Sequence, residues 1–380
     1  MSGSKNYVFI SWKDIKNPKA GGSEIVHQEI SKRLVRDGHK VTHLVPGFVG
    51  AAASEEVDGV KIIRLGSSLF SFWNTTFYYR RHLRDTTDIL VDVFNCFGSF
   101  AWIIGAREKT VFFIHHVQGR IWLYQTVFPF IPPFNLVGWL LEVLQLHVTG
   151  YFGKLRAITV SASTKRDLIR RGFAGKDIHV IRQGSDIPHV ENLVSLQKEE
   201  VFTVLFFGRL VRMKNPLVVL KAFKKFHQKH PQSQLWIAGS DGADGTFEKM
   251  YTYLKKHNLY HCTQFFGRVS QEQKLDLMKK AHVITVTSVK EGWGLIVTEA
   301  NSQGTPAVTF NVPGLRDSNK YGLLTKTNSV TGLVEALEEV YLDKRRYVEL
   351  QHNSYLDSKQ YVFENSYEDF VRFVEADSKR

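Results

Sequence analysis

Cysteine is nearly absent from this chain of 380 residues. Cys96 and Cys262 are the only two, and neither belongs to a Cys-x-x-Cys or Cys/His spacing. A disulfide framework and a structural zinc site are therefore not expected, and a reducing compartment fits. Missing too is any uninterrupted run of roughly twenty apolar residues, the length that crosses a bilayer as a helix. The opening MSGSKNYVFISW has no apolar h-region and no cleavage pattern, so no signal peptide is expected. There is no D-x-D to hold a divalent cation on a diphosphate, and no G-x-x-x-x-G-K-[ST] phosphate loop. The G-x-G-x-x-G dinucleotide fingerprint and the G-x-S-x-G nucleophile elbow are absent as well. No repeat of fixed period and no low-complexity tract appears.

What is present is an ordinary globular composition, 43% hydrophobic and 23% charged, long enough for two domains. The net charge of +13 is uneven: residues 1–190 carry 24 Lys and Arg against 15 Asp and Glu. Arg80, Arg81 and Arg84 cluster, as do Arg166, Arg170 and Arg171. Solvated helix faces account for such clusters, and so would a face that meets anionic lipid or a phosphorylated substrate.

Apolar runs alternate with amphipathic stretches, the pattern of α/β domains with parallel sheets. YVFI at 7–10, KVTHLV at 40–45, DILVDV at 88–93, TVFFI at 110–114 and AITV at 157–160 read as strands of a first domain. After a polar stretch around 186–200, VFTVLFF at 201–207, QLWIA at 234–238, TQFF at 263–266, VITVT at 283–287 and AVTF at 307–310 read as strands of a second. Residues 119–150 break the pattern, dense in aromatic and aliphatic residues and interrupted by Pro129, Pro132 and Pro133. They suit a buried connecting helix, a helix lying on a membrane, or an apolar acceptor groove.

Several constellations could carry chemistry. Gly21-Gly22-Ser23-Glu24 lies between the first strand and its helix, where glycines let a ligand approach the backbone and a helix N-terminus favours negative charge. Arg209 and Lys214, in FGRLVRMKNP, leave the carboxyl end of a strand, where ligands bind in open α/β sheets. Guanidinium and ammonium together suit a departing diphosphate. His115 and His116 end another strand, and only one of the two can face a site. Glu291 and Glu299 stand eight positions apart in KEGWGLIVTEANSQGTPAVT, a strand, glycine turn and helix start that forms an anion cradle.

In order along the chain, AGGSE at 20–24, FIHHV at 113–117, TVSASTKRDL at 159–168, FGRLVRMKNP at 207–216, FFGRVS at 265–270 and EGWGLIVTEANSQGTPAV at 291–308 resemble the retaining family 4 glycosyltransferases. The resemblance implies the GT-B fold, two doubly wound Rossmann-like domains facing each other across a cleft. An acceptor-side domain would span 1–185, a nucleotide-sugar-binding domain 200–359, and the last helix, 360–380, would pack back on the first. The implied activity moves a sugar from a nucleotide diphosphate sugar to a glycan or lipid-linked acceptor, without metal and without a further cofactor.

Residue by residue, the resemblance gives Glu291 the sugar hydroxyls and Glu299 the ribose. Arg209, Lys214 and the amides of Gly294 and Leu295 would neutralise the diphosphate. Arg268 and Val269 would border the base, Gly21 and Gly22 would lie near diphosphate and acceptor, and His115 would line the sugar pocket. Where the family often has Gly-Gly-x-x-Glu, this chain reads Val312-Pro313-Gly314-Leu315-Arg316-Asp317. The expected setting is cytoplasmic, with peripheral membrane contact through 119–150 and the basic first domain, and no nucleic acid partner. UDP, GDP and ADP donors are not distinguished.

Two alternatives stand beside this reading. A glycoside hydrolase or phosphorylase would use Glu291 and Glu299 as its catalytic pair, although glycosidase carboxylates face one another across a bond whereas these share one turn-helix unit. A non-enzymatic basic protein would bind membrane or nucleic acid, but no nucleic-acid motif accompanies the charge.

Overall fold

The computed structural model describes residues 3–66, 71–95, 97–99, 101–103, 109–123 and 132–376. The described chain divides into two compact units, one running to Gln183 and resuming at Phe363, the other formed by Gly184–Val362.

The first unit holds an eight-stranded sheet in the order β3-β4-β2-β1-β5-β6-β7-β8. Its strands are β1 (Asn6–Ile10), β2 (Lys40–Val45), β3 (Ser54–Val57), β4 (Val60–Arg64), β5 (Ile89–Phe94), β6 (Thr110–Ile114), β7 (Arg156–Thr159) and β8 (Ile178–Val180). All pairings are parallel except β3 with β4. Every residue of β5 and β6 is buried, which is why those stretches read as continuous apolar runs and not as alternation. The β3–β4 hairpin has no apolar run to announce it. Its signal is the two-residue turn Asp58-Gly59, with φ of 53° and 76°, the geometry that lets strands twist together.

Helices α1 (Gly22–Arg36), α2 (Ser71–Tyr78), α3 (Pro132–Val148) and α4 (Ala162–Ile169) cover this sheet. The terminal helix Phe363–Glu375 belongs to the same unit. It buries Phe363, Tyr367, Phe370 and Val374, spaced as one helical stripe. Phe370 packs its ring 6.2 Å from Phe9 and 6.5 Å from Tyr7, while Glu364 accepts from both Arg33 and Arg36 of α1.

In the second unit six parallel strands run β11-β10-β9-β12-β13-β14. They are β9 (Phe202–Phe207), β10 (Ser233–Ala238), β11 (Thr263–Gly267), β12 (Val283–Val286), β13 (Ala307–Thr309) and β14 (Leu323–Leu324). Helices α5 (Pro216–Lys229), α6 (Thr246–His257), α7 (Gln271–Lys280), α8 (Leu295–Ser302), α9 (Leu315–Ser318), α10 (Val330–Leu342) and α11 (Lys344–Ser358) surround them, and the Phe363–Glu375 helix is α12. Phe223 and Phe226 of α5, Leu205 of β9 and Leu337 of α10 are fully buried in one core.

Strand order decides where a ligand can sit. From β9 the chain steps to β10 and β11 on one side, then returns to place β12 on the other. The crevice beyond the carboxyl ends of β9 and β12 is thus the switch point of this sheet. In the first sheet the corresponding place lies between β1 and β5.

Candidate functional site

At the second unit's switch point, two segments meet that are far apart in sequence. The loop after β9 carries Arg209 and Lys214; the loop after β12 carries Glu291. Because β12 pairs with β9 in parallel register, Val283 opposite Val204, both loops emerge side by side. Lys214 donates to Glu291 Oε1, and the Ser288 hydroxyl donates to the same oxygen at 2.7 Å. The loops are also stitched through the backbone, Val289 N to Met213 O at 2.9 Å and Thr287 Oγ1 to Lys214 O at 3.1 Å. Arg209 is exposed.

Behind Glu291 the chain makes its glycine turn. Trp293 is buried and meets the Tyr361 ring at 5.2 Å, and Gly294 takes φ of 90° before α8 begins at Leu295. Gly314, φ 84°, lies so close that an added Cβ would sit 2.2 Å from the Glu291 carbonyl oxygen. The segment that departs from the family pattern thus supports the Glu291 loop through its backbone.

Glu299, one turn into α8, is half-buried and ion-paired at 2.7 Å with Lys274 of α7, whose ammonium also stands 5.5 Å from the Phe207 ring centroid. Lys274 was not singled out from the sequence. Its helix start was legible in the Ser270/Gln273 capping box, but its partner is set by the docking of α7 on α8. The two glutamates therefore face different lysines. A glycosidase pair faces one another across the scissile bond, whereas these carboxylates are held by separate lysines on separate elements. This arrangement suits binding of hydroxyls and charge better than acid–base cleavage. Arg268 is exposed and Val269 half-buried in the loop after β11.

In the first unit, Gly21 caps α1, and its N–H donates to Glu24 Oε2 at 2.7 Å. Its φ of −139° is open to any residue, and the nearest atom to an added Cβ is that same carboxylate at 3.6 Å. Absence of a side chain here keeps the backbone open. Gly22 begins the helix and is exposed. The loop leading to these glycines is pinned by a buried ion pair that the sequence did not reveal. Arg64 at the end of β4 donates to both oxygens of Asp14, at 2.8 and 3.0 Å.

His115 directly follows β6 and is buried, 6% exposed. Gln183 Nε2 donates to its Nδ1 at 2.7 Å, which leaves its Nε2 as donor to His27 Nε2 at 2.8 Å. Burial holds the imidazole neutral, lowering its pKa to about 3, and pushes that of His27 well down too. Both ring nitrogens thus have protein partners, so a hydrogen bond from His115 to a sugar requires one to be exchanged. The neighbouring His116 is half-buried.

The apolar segment at 119–150 is only partly described: residues 124–131, Pro129 among them, lie outside the described part. Glu142, fully buried on α3, accepts from Gln118 N at 2.7 Å, Gly119 N at 2.8 Å and Trp122 Nε1 at 3.0 Å, and so fixes the loop after β6. The opposite side of α3 is bare. Leu136, Val137, Leu140, Leu141 and Leu144 are all 45–60% exposed and share one helical face. Among the described residues no helix is long and apolar enough to cross a membrane.

A family model described as glycosyl transferases group 1 matches residues 191–357, and one described as glycosyltransferase family 4 matches 20–187. Over 145 residues the chain is 32% identical to the D-inositol 3-phosphate glycosyltransferase of Corynebacterium jeikeium, covering 36% of this chain and 35% of that one. Over 324 residues it is 24% identical to an uncharacterised glycosyltransferase of Methanocaldococcus jannaschii, covering 79% of each. The chain spans about a third to a half of the length of the first curated relatives it matches. Its fold is that of the Anabaena protein HepE in complex with UDP-glucose, at a TM-score of 0.71 and 15% identity over 98% of this chain and 99% of that one.

Proposed function

The chain belongs to the family 4 glycosyltransferases, and from that premise we propose that it transfers a sugar from a nucleotide diphosphate sugar to a glycan or lipid-linked acceptor, with retention and without a metal ion. The observation that carries this reading is the meeting of Lys214, Glu291 and the start of α8 at the switch point between β9 and β12. A neighbour of the same fold holds UDP-glucose, which supports a nucleotide-sugar donor.

Breaking the sugar–phosphate bond leaves negative charge on the diphosphate and develops positive charge at the anomeric carbon. Lys214, the exposed Arg209 and the amides of Gly294 and Leu295 take the first charge. Each well-placed donor is worth roughly 3 kcal/mol in such a site. Glu291, anchored by Lys214 and Ser288, receives the sugar hydroxyls. Glu299 accepts from the ribose, and Arg268 and Val269 border the base. Gly21 and Gly22 leave room for diphosphate and acceptor, and His115 serves the sugar once Gln183 or His27 yields its place. Retention follows when the acceptor attacks from the leaving group's own face, so Glu291 need not be a nucleophile.

The apolar face of α3 and the basic first unit favour a lipid-linked acceptor at the cytoplasmic surface of a membrane. A thermal-shift screen of UDP, GDP, ADP and their sugars tests the donor assignment, because a ligand of the folded state raises its stability. One nucleotide family should raise the melting temperature without added divalent cation. No response from any of them would overturn the reading.

A further inference from the structure

Away from the donor site, the fold assembles a group that sequence spacing conceals. His227 lies in the last turns of α5, and His261 and Cys262 lie in the 3-10 turn Tyr260–Cys262 that leads into β11. Thirty-four positions separate His227 from His261, yet potential ligand atoms of all three residues lie within 4.8 Å of one another. From this geometry we propose that His227, His261 and Cys262 form a binding site for a borderline-soft divalent cation, zinc above all, that clips α5 to the start of β11.

The chemistry of the donors fits. Imidazole nitrogen and thiolate sulfur are both ligands of tetrahedral zinc, and water would complete the four. Zinc–nitrogen bonds of about 2.0–2.1 Å and a zinc–sulfur bond of about 2.3 Å put ligand atoms roughly 3.3–3.6 Å apart. The group must therefore close by about 1 Å, within reach of a rotamer change at the exposed His261.

The tautomer of His227 is set in advance. Ser233 Oγ donates its proton to His230 O at 2.6 Å, so toward His227 it accepts, at 3.1 Å, from Nδ1–H. Nε2 is then left with its lone pair, and a hydrogen bond on the other ring nitrogen is how proteins orient a ligating histidine. The His227 and His261 rings stand 5.5 Å apart between centroids. Cys262 is buried, and its thiol donates to Leu259 O at 3.4 Å, a weak bond to give up. Metal entry displaces that proton to solvent and leaves the sulfur as thiolate.

Position argues for a structural role. His227 and Cys262 lie where β10 and β11 begin, at the amino edge of the sheet, whereas Lys214 and Glu291 lie at its carboxyl edge. A strand of five or six residues, about 15–20 Å, lies between the two edges. The cation would brace the second unit without touching the donor site, so the proposal stands apart from the metal-free chemistry given above.

The full chain, reduced and freed of metal, is titrated with Co2+ as the probe. One equivalent should give a sulfur-to-cobalt charge-transfer band in the near ultraviolet with visible bands of four-coordinate cobalt, release one proton, and be displaced by Zn2+. Cys262→Ser should abolish the charge-transfer band while Cys96 remains in place. His261→Ala, at an exposed position that leaves the fold alone, should weaken binding by more than about tenfold. Zn2+ should raise the melting temperature of the unsubstituted chain and leave that of His261→Ala unmoved. A titration without the band, or a band of equal affinity in both variants, overturns the site.

Discussion

Lys214 and Glu291 are 77 positions apart in the chain, and in the fold the ammonium of one donates to the carboxylate of the other. The pairing exists because β9 and β12 are neighbours and both loops leave at their carboxyl ends. It makes the two side chains one device: the lysine neutralises the carboxylate and is oriented by it.

That coupling is measurable. Lys214→Ala should lower kcat by about 10²–10³-fold, the usual effect of losing a charge-stabilising donor. Glu291→Gln should also lower kcat/KM, and the double variant should lose less than the two single losses added, with a coupling of about 0.5–3 kcal/mol. Steady-state kinetics of the four proteins decides it. Wild-type kinetics in both single variants would remove the pair from the reaction.

Glu299 and Lys274 call for a different signature. If Glu299 accepts from the ribose in ground state and transition state alike, Glu299→Ala should raise the donor KM while kcat changes little. Lys274→Met leaves the half-buried carboxylate without its ammonium and should raise the same KM about tenfold, or ~1.4 kcal/mol. A fall in kcat at unchanged KM would take the pair out of donor binding.

Acid should weaken the first unit through its buried histidines. Burial lowers His43 to about 4 and His115 to about 3, against about 6.5 in the unfolded chain. Between those values the unfolded chain binds more protons, so stability rises with pH across the window and is lost as pH falls from 6.5 toward 4. Between pH 7.5 and 5 His43 alone accounts for roughly 2 kcal/mol of that loss. Urea midpoints at pH 7.5 and 5 should differ accordingly, and by less in His43→Phe, which keeps the ring contact with Phe9.

For the membrane reading, the bare face of α3 supplies the variants. Leu140→Glu and Leu144→Glu replace residues 51% and 60% exposed, so folding should survive. The unsubstituted chain should float with vesicles rich in anionic lipid, and the double variant should stay behind. Flotation unaffected by both substitutions would clear α3 of the role.

Much of the architecture could be read locally. Buried parallel strands must be continuously apolar, and ILVDVF, TVFFI and FTVLFF announce themselves for that reason. Polar or very short strands gave no such signal: SEEV at the sheet edge, IHV and the two-residue β14 needed a neighbour to pair with. The glycine turns, the α8 start and the cationic loop after β9 were likewise visible, since backbone freedom and strand-end position are written in residue type and order.

The sequence by itself determined two α/β domains, the family, and a short set of candidate site residues, because periodicity and motif order are local properties. Only the tertiary structure decided which charges face each other. It set Lys274 against Glu299, pinned Asp14 with Arg64, tied both nitrogens of His115 to Gln183 and His27, and brought His227 to Cys262. Those choices follow from strand order and helix docking, which join residues tens of positions apart, where no local spacing can record them.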